Sequence, residues 1–291
     1  PEELTGGNGL VEMGTSIAIL AGMIYGGLVF KLAGSFGPEA AALSVVTLAV
    51  AGNVVARLIP KVDAGAPALE VNWNPIPESR AVLRLARRQL AVRNAILGVS
   101  WFWFVGTVLT AQLPTYAEVY LGGVVNDTTL YIFALALFSV GVGVGSLLCE
   151  KLSARTVEIG LVPLGAFGIT AFLLDLYFAR PGLPPATGLT IAQFLQAPGG
   201  WRIAVDLTGI GLFTGVFVVP LFALIQSRTP KSELSRVIAG LNIQNSLFIV
   251  TAAVLGVLVQ MDGVSVGGVR IPLPEGRAQA GARVTLGVRP E

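Results

Sequence analysis

The stretch DLTGIGLFTGVFVVPLFALIQSRTPKSELSRVIAGLNIQNSLFIV, Asp206 to Val250, decides the fold. Two apolar segments flank a short polar turn, Gln226 to Arg236. Each segment reaches about 20 residues, the length that crosses a hydrocarbon layer roughly 30 Å thick. The turn carries Arg228, Lys231 and Arg236 against one acid, Glu233. Amides return inside the second segment, at Asn242, Gln244 and Asn245. Hydrocarbon offers them no partners, so other helices must. The stretch reads as a membrane helical hairpin with a polar inner face.

The rest of the chain agrees. Hydrophobic residues make up 54% of it and charged ones only 12%, where a soluble domain carries about 25%. The net charge of +2 is too small to point to nucleic acid. There is no histidine, which removes Ser-His-Asp and Cys-His nucleophiles, His-ligated metals and the usual proton shuttle. Cys149 is the single cysteine, so an internal disulfide and a cysteine zinc cluster are both excluded. No GxxxxGK[ST] phosphate loop occurs, so no ATP hydrolysis by that route and no cofactor is expected. The chain begins at Pro1, and a missing N-terminal part is the expectation.

In order, PEELTGGN reads as a polar turn, followed by an apolar run from about Gly9 to Phe30 broken only by Glu12. Gly22 and Gly26 have the spacing that lets helices approach closely. A second run spans about Ala40 to Ile59. KVDAGAPALEVNWNPIPES is a loop, and RAVLRLARRQLAVRN reads as a basic amphipathic helix with Arg84, Arg87 and Arg88 on one face. Such a helix suits anionic headgroups at a membrane surface. The third span runs from about Ala95 to Leu113 and is closed by Pro114; PTYAEVYLGGVVNDTT follows as a loop. The fourth, about Leu130 to Leu148, holds GVGVG (Gly141 to Gly145), which follows no soluble strand and therefore reads as helix packing. The fifth, about Ile159 to Ala179, holds Asp175. After a proline-rich loop come the sixth and seventh, about Ile203 to Leu224 and Val237 to Leu258. The tail, 261–291, alternates like short strands and cannot span a bilayer.

Seven spans alternate sides, so their connectors can be tested for charge. Lys61, Arg80, Arg84, Arg87, Arg88, Arg93, Lys151, Arg155, Arg228, Lys231 and Arg236 fall on one side, against Lys31, Arg180 and Arg202 on the other. The positive-inside rule makes the first side cytoplasmic.

The order of elements, with a basic linker between bundles and short charged turns, resembles the major facilitator superfamily. The resemblance sharpens at GSLLCEKLSARTVEIGLVPLGAFG (Gly145 to Gly168), at VVPLFALIQSRTPKSELSRVIAGLNIQN (Val218 to Asn245) and at NGLVEMGTSIAILAGMIYGG (Asn8 to Gly27). These segments are similar to bacterial lysophospholipid transporters, including forms fused to a phospholipid acyltransferase. The superfamily turn would place an acid four residues after Gly145; here Cys149 stands there and Glu150 follows.

The resemblance implies an all-α membrane protein whose seven spans correspond to helices five to eleven of twelve, with a short β-like tail. Residues 1–60 would end the N-terminal bundle, 61–93 form the cytoplasmic linker, and 94–260 belong to the C-terminal bundle. VGGVRIPLP and VTLGVRPE in the tail resemble the C-terminal β module of sugar-importer ATPases. A truncated or chimeric reading frame with a junction near Gln260 is therefore expected. The implied activity is lysophospholipid uptake across the bacterial inner membrane by alternating access, without enzymatic chemistry. A drug or small-solute carrier of the same superfamily is the nearest alternative, and the membrane part of an acyltransferase fusion the alternative of another class. Partners would be the lysophospholipid, membrane lipids and an acyltransferase.

Ionisable and amide groups inside the spans are the substrate-site candidates: Glu12, Asp175, Asp206, Asn242, Gln244 and Asn245. Each has a plainer reading. Asp175 and Asp206 lie near outer span ends and could face water, Glu12 could cap a neighbouring turn, and the amides could join helices. Glu150, Lys151, Arg155, Arg228 and Arg236 are the gating candidates, with Glu150–Arg155 and Arg228–Glu233 as cytoplasmic latches.

Overall fold

A computed structural model describes residues 4–58, 74–124, 128–153, 158–179, 188–262, 265–266 and 269–270. Its helices are α1 (Leu4–Ala33), α2 (Gly37–Ala56), α3 (Pro75–Ala86), α4 (Leu90–Tyr120), α5 (Thr129–Leu152), α6 (Leu161–Phe178), α7 (Ile191–Gln196), α8 (Gly200–Arg228) and α9 (Leu234–Asp262). Among the described residues, seven helices are long and apolar enough to cross a membrane, all but α3 and α7. Two strands, β1 (Ser265–Val266) and β2 (Val269–Arg270), pair antiparallel; the rest of the tail lies outside the described residues.

Hydroxyls along the spans return to their own helix. Thr15, Thr47, Thr107, Thr170 and Thr251 each donate to the carbonyl four residues back, at 2.7–2.9 Å. Where water is absent, this local bond satisfies the group. Large apolar side chains such as Leu32, Phe167 and Phe178 stand exposed, as lipid-facing positions must.

α8 is the centre of the assembly and packs against α1, α4, α5, α6 and α7. Glycine makes the closest of these approaches possible. Gly211 meets the backbone of Phe138, and Gly145 meets that of Leu212, so a Cβ at either would collide with main chain. GVGVG is thus a helix-packing surface. On the other flank Gly165 and Gly168 of α6 receive Phe217 and Phe213 of α8, while Gly209 of α8 receives Phe172. The Phe213 and Phe172 rings in glycine notches, with the Phe217 backbone close against Gly165, fix the antiparallel register of α6 on α8. Gly22 and Gly26 differ: a Cβ there meets nothing within 4 Å, so their spacing joins no described helices.

α1 lies antiparallel along α5. Gly9 approaches Ser146, Met13 approaches Gly143, and the Tyr131 hydroxyl lies 3.8 Å from the Met23 sulfur. α2 packs on α1, and α9 packs on α3 and α4.

Several boundaries differ from the sequence reading. Leu4 to Asn8 are helical rather than a turn. The basic segment 80–94 is not one helix: α3 starts at Pro75, where the Asn74 side chain accepts from the Ile76 N–H at 3.1 Å, and the chain breaks at Arg87 to Gln89. Proline at the first helical position loses no internal bond, which explains the earlier start. Pro114 does not close α4, which continues to Tyr120. Proline removes one donor, and the turn beyond it is held by the buried Ala117 and by Tyr116 against Tyr120, centroids 5.2 Å apart. The proline-rich loop contains α7, begun by a Thr190–Gln193 capping box and anchored by the buried Phe194.

Contacts at the two ends show which segments lie together. At one end Asn8 meets Gln226, Gly6 meets Glu150, and Arg88 pairs with Glu233 at 3.6 Å. At the other, the N–H groups of Gly188 and Leu189 donate to the Gly122 carbonyl.

Candidate functional site

Two polar assemblies stand out, one at each end of the bundle. The one on the side that the positive-inside rule makes outer is built by α6 and α8. Arg202 and Asp206 are four residues apart on α8, hence on one face. Asp175, in the last turn of α6, receives Arg202 as a fork: Nε donates to Oδ2 at 2.9 Å, and Nη2 donates to Oδ1. Arg202 and Asp175 are half exposed, 51% and 43% at the side chain. An exposed pair of this kind is weak in water, so it can be exchanged for a ligand at little cost.

Asp206 is different. It is 1% exposed, it lies close enough to Asp175 and Arg202 to interact with both, and its Oδ2 has no hydrogen-bond partner among the described residues. An unsatisfied buried polar atom costs roughly 1–3 kcal/mol, more when charged. A buried polar group of this kind calls for an explanation, and an ionisable side chain in a membrane helix is a candidate functional group. Two carboxyl groups face one guanidinium. Trp201, Tyr177 and Phe178 stand exposed around it, as aromatic residues do at a membrane–water boundary.

The inner assembly joins α1 to α5 and α8. Asn8 Nδ2 donates to Gln226 Oε1 at 3.2 Å, and Gln226 Nε2 donates to Asn8 Oδ1 at 2.9 Å. A Cβ at Gly6 would come within 2.7 Å of Glu150 Oε1, so that carboxylate lies on the first turn of α1. Unpaired N–H groups at a helix N-terminus favour an anion there. Glu12 lies one turn along from Asn8 on the same face, half-buried, and no ion pair or hydrogen bond reaches it among the described residues.

The remaining candidates separate. Asn245 accepts from the Ser100 hydroxyl at 2.8 Å, and Gln244 accepts from Arg87 Nη2 at 3.4 Å; both amides are buried. They tie α9 to α4 and to the end of α3. Asn242 is exposed and does not join them. Glu233 pairs with Arg88 rather than with Arg228, because α3 and the turn after it bring Arg88 to the start of α9. Lys151, Arg228 and Arg236 are exposed, without an ion pair among the described residues. Arg155 lies outside the described residues.

Sequence reasoning missed Arg202, Asn8 and Gln226. Arg202 carried a readable signal, its spacing of four from Asp206. Asn8 and Gln226 are 218 residues apart and nothing in the sequence links them.

The chain matches the Major Facilitator Superfamily over residues 1–253 and belongs to that family, whose members are multi-pass membrane transporters rather than enzymes. Among characterised proteins it is similar to lysophospholipid transporters LplT. It is 31% identical to that of Citrobacter koseri over 281 residues, covering 92% of this chain and 63% of the relative. It is also 31% identical to those of Shigella boydii and Escherichia coli O7:K1 over 235 residues, 79% of this chain and 52% of each relative. The chain thus spans between half and two thirds of the length of these relatives. No solved structure matches it.

Proposed function

We propose that the protein is a secondary transporter that moves lysophospholipids across a bacterial inner membrane. The observation that carries this reading is the buried Asp206 carboxyl, whose Oδ2 is unpartnered among the described residues, beside the Asp175–Arg202 pair. An ethanolamine headgroup brings an ammonium for a carboxylate and a phosphate for a guanidinium. The cluster offers both partners within one turn of α8. Similarity to lysophospholipid transporters over most of the chain supports the same substrate class.

Alternating access follows from the inner assembly. Residues 1–60 act as the end of one bundle and 94–260 as the other, with 61–93 between them. The Asn8–Gln226 pair and the Glu150 contact hold the cytoplasmic side shut, and transport requires them to part. Acylation is the chemistry that consumes a lysophospholipid, so a phospholipid acyltransferase is the natural functional partner.

The rival is a carrier of small water-soluble solutes. Uptake into vesicles carrying the protein separates them. Headgroup-labelled lysophosphatidylethanolamine should enter at least tenfold faster than into empty vesicles, while choline, sugars and cationic dyes should not. Entry of those solutes without the lipid would favour the rival.

A further inference from the structure

We infer that the crevice between α4 and α6 is a binding groove for a single acyl chain. The inference rests on the lipid-substrate reading above and adds where the chain lies. α4 and α6 both pack on α8 but not closely on each other. Along this crevice, over a floor of α5 and α8, are two cavities of about 120 Å³ each: the outer lies against α4, α5 and α8 and reaches α6 at Leu176, and the deeper lies between α4 and α6. They adjoin, because Gly106, Leu109, Phe138 and Ile210 line both.

Three observations select an acyl chain as the occupant. The first is length. The lining runs on α4 from Trp101 to Tyr116, about 22 Å at the helical rise, more than half of a hydrocarbon core roughly 30 Å thick. One chain of one leaflet fits that distance.

The second is continuity with the polar cluster. Arg202, Asp206, Ile210 and Thr214 follow one another at intervals of four along one face of α8. Ile210 and Thr214 line the deeper cavity, whereas Arg202 and Asp206 form the outer site. On α6 the same change happens over one residue: Asp175 holds Arg202 and Leu176 lines the outer cavity. A molecule with a charged head and one apolar tail matches this sequence of surfaces.

The third is the glycine at the join. A Cβ on Gly106 would meet nothing within 4 Å. Gly106 is half-buried and faces open space where the two cavities meet. Its missing side chain keeps the groove continuous, so a large residue there would block it without displacing backbone.

Photolabelling tests this. The purified protein in lipid nanodiscs is irradiated with lysophosphatidylethanolamine bearing a diazirine on its acyl chain, and adducts are mapped by mass spectrometry. A free fatty acid with the same diazirine forms a second arm. Adducts are expected between Trp101 and Tyr116 and between Ala166 and Leu176, displaced by unlabelled lysophosphatidylethanolamine. Gly106→Phe should lower them at least tenfold, Gly106→Ala less than twofold, and Gly52→Phe on the exposed α2 not at all. Adducts spread over α2 and α9 without displacement, or equal yields in wild type and Gly106→Phe, would overturn the groove. So would disulfide crosslinking of Gly106→Cys between two copies, which would make the occupant another helix. Groove labelling by both probes without lysolipid uptake would keep the groove and remove the transport reading. Lysolipid uptake unchanged by Gly106→Phe would do the reverse.

Discussion

Asn8 and Gln226 exchange two hydrogen bonds, 3.2 and 2.9 Å long, between the first turns of α1 and the last turn of α8. This neutral pair joins α1 to α8 at the end where Arg88 also pairs with Glu233; of the charged latches expected from the sequence, Arg228–Glu233 is not formed and Arg155 lies outside the described residues. Amides suit a contact that must break, because each bond is worth about 1 kcal/mol net. Asn8→Ala and Gln226→Ala should therefore show coupling of about 1 kcal/mol in a double-mutant cycle read by thermal unfolding in detergent. Additive losses would mean that the two side chains act separately.

The Ser100–Asn245 bond is buried and ties α4 to α9. Ser100→Ala strands the Asn245 amide and should cost about 1–3 kcal/mol. Adding Asn245→Leu removes the stranded group and should restore part of the loss. Chemical unfolding of the three variants checks the order wild type, double variant, single variant.

Glycine substitutions should sort by helix face. Gly145→Val drives a side chain into the backbone of Leu212 and should abolish folded protein in the membrane, well beyond the about 1–3 kcal/mol of ordinary overpacking. Gly22→Val, on open surface, should leave the yield within twofold. Fluorescence size-exclusion profiles of tagged protein distinguish the two.

The positive-inside rule predicts a cytoplasmic α3. A cysteine replacing Arg84, in a background where the buried Cys149 is alanine, should react with an impermeant maleimide only in inside-out vesicles. Reaction in right-side-out vesicles would invert every helix.

The spans were readable because apolar length and the side of the basic residues are properties of the sequence alone. Helix ends were less so. Pro114 marks a broken hydrogen bond, but whether the helix stops depends on what Ala117 and Tyr116 pack against. The same holds for glycine: GVGVG and the Gly22–Gly26 pair look equivalent in the chain, and only the placement of α8 makes the first an interface. Asp206 was visible as an acid in an apolar run, and Arg202 could have been joined to it by helical spacing. Asp175 could not, because its meeting with Arg202 is set by how Phe213 and Phe217 seat α6 on α8. The amides of α9 were visible as polar groups, yet their division into Gln244 and Asn245 inside and Asn242 outside depends on helix rotation.

The most direct test removes the charge of the buried carboxylate while keeping its shape. Asp206→Asn should insert into the membrane as wild type does and take up lysophosphatidylethanolamine at least tenfold more slowly. Uptake by Asp206→Asn at the wild-type rate would contradict the assignment of the headgroup to the Asp175–Arg202–Asp206 cluster.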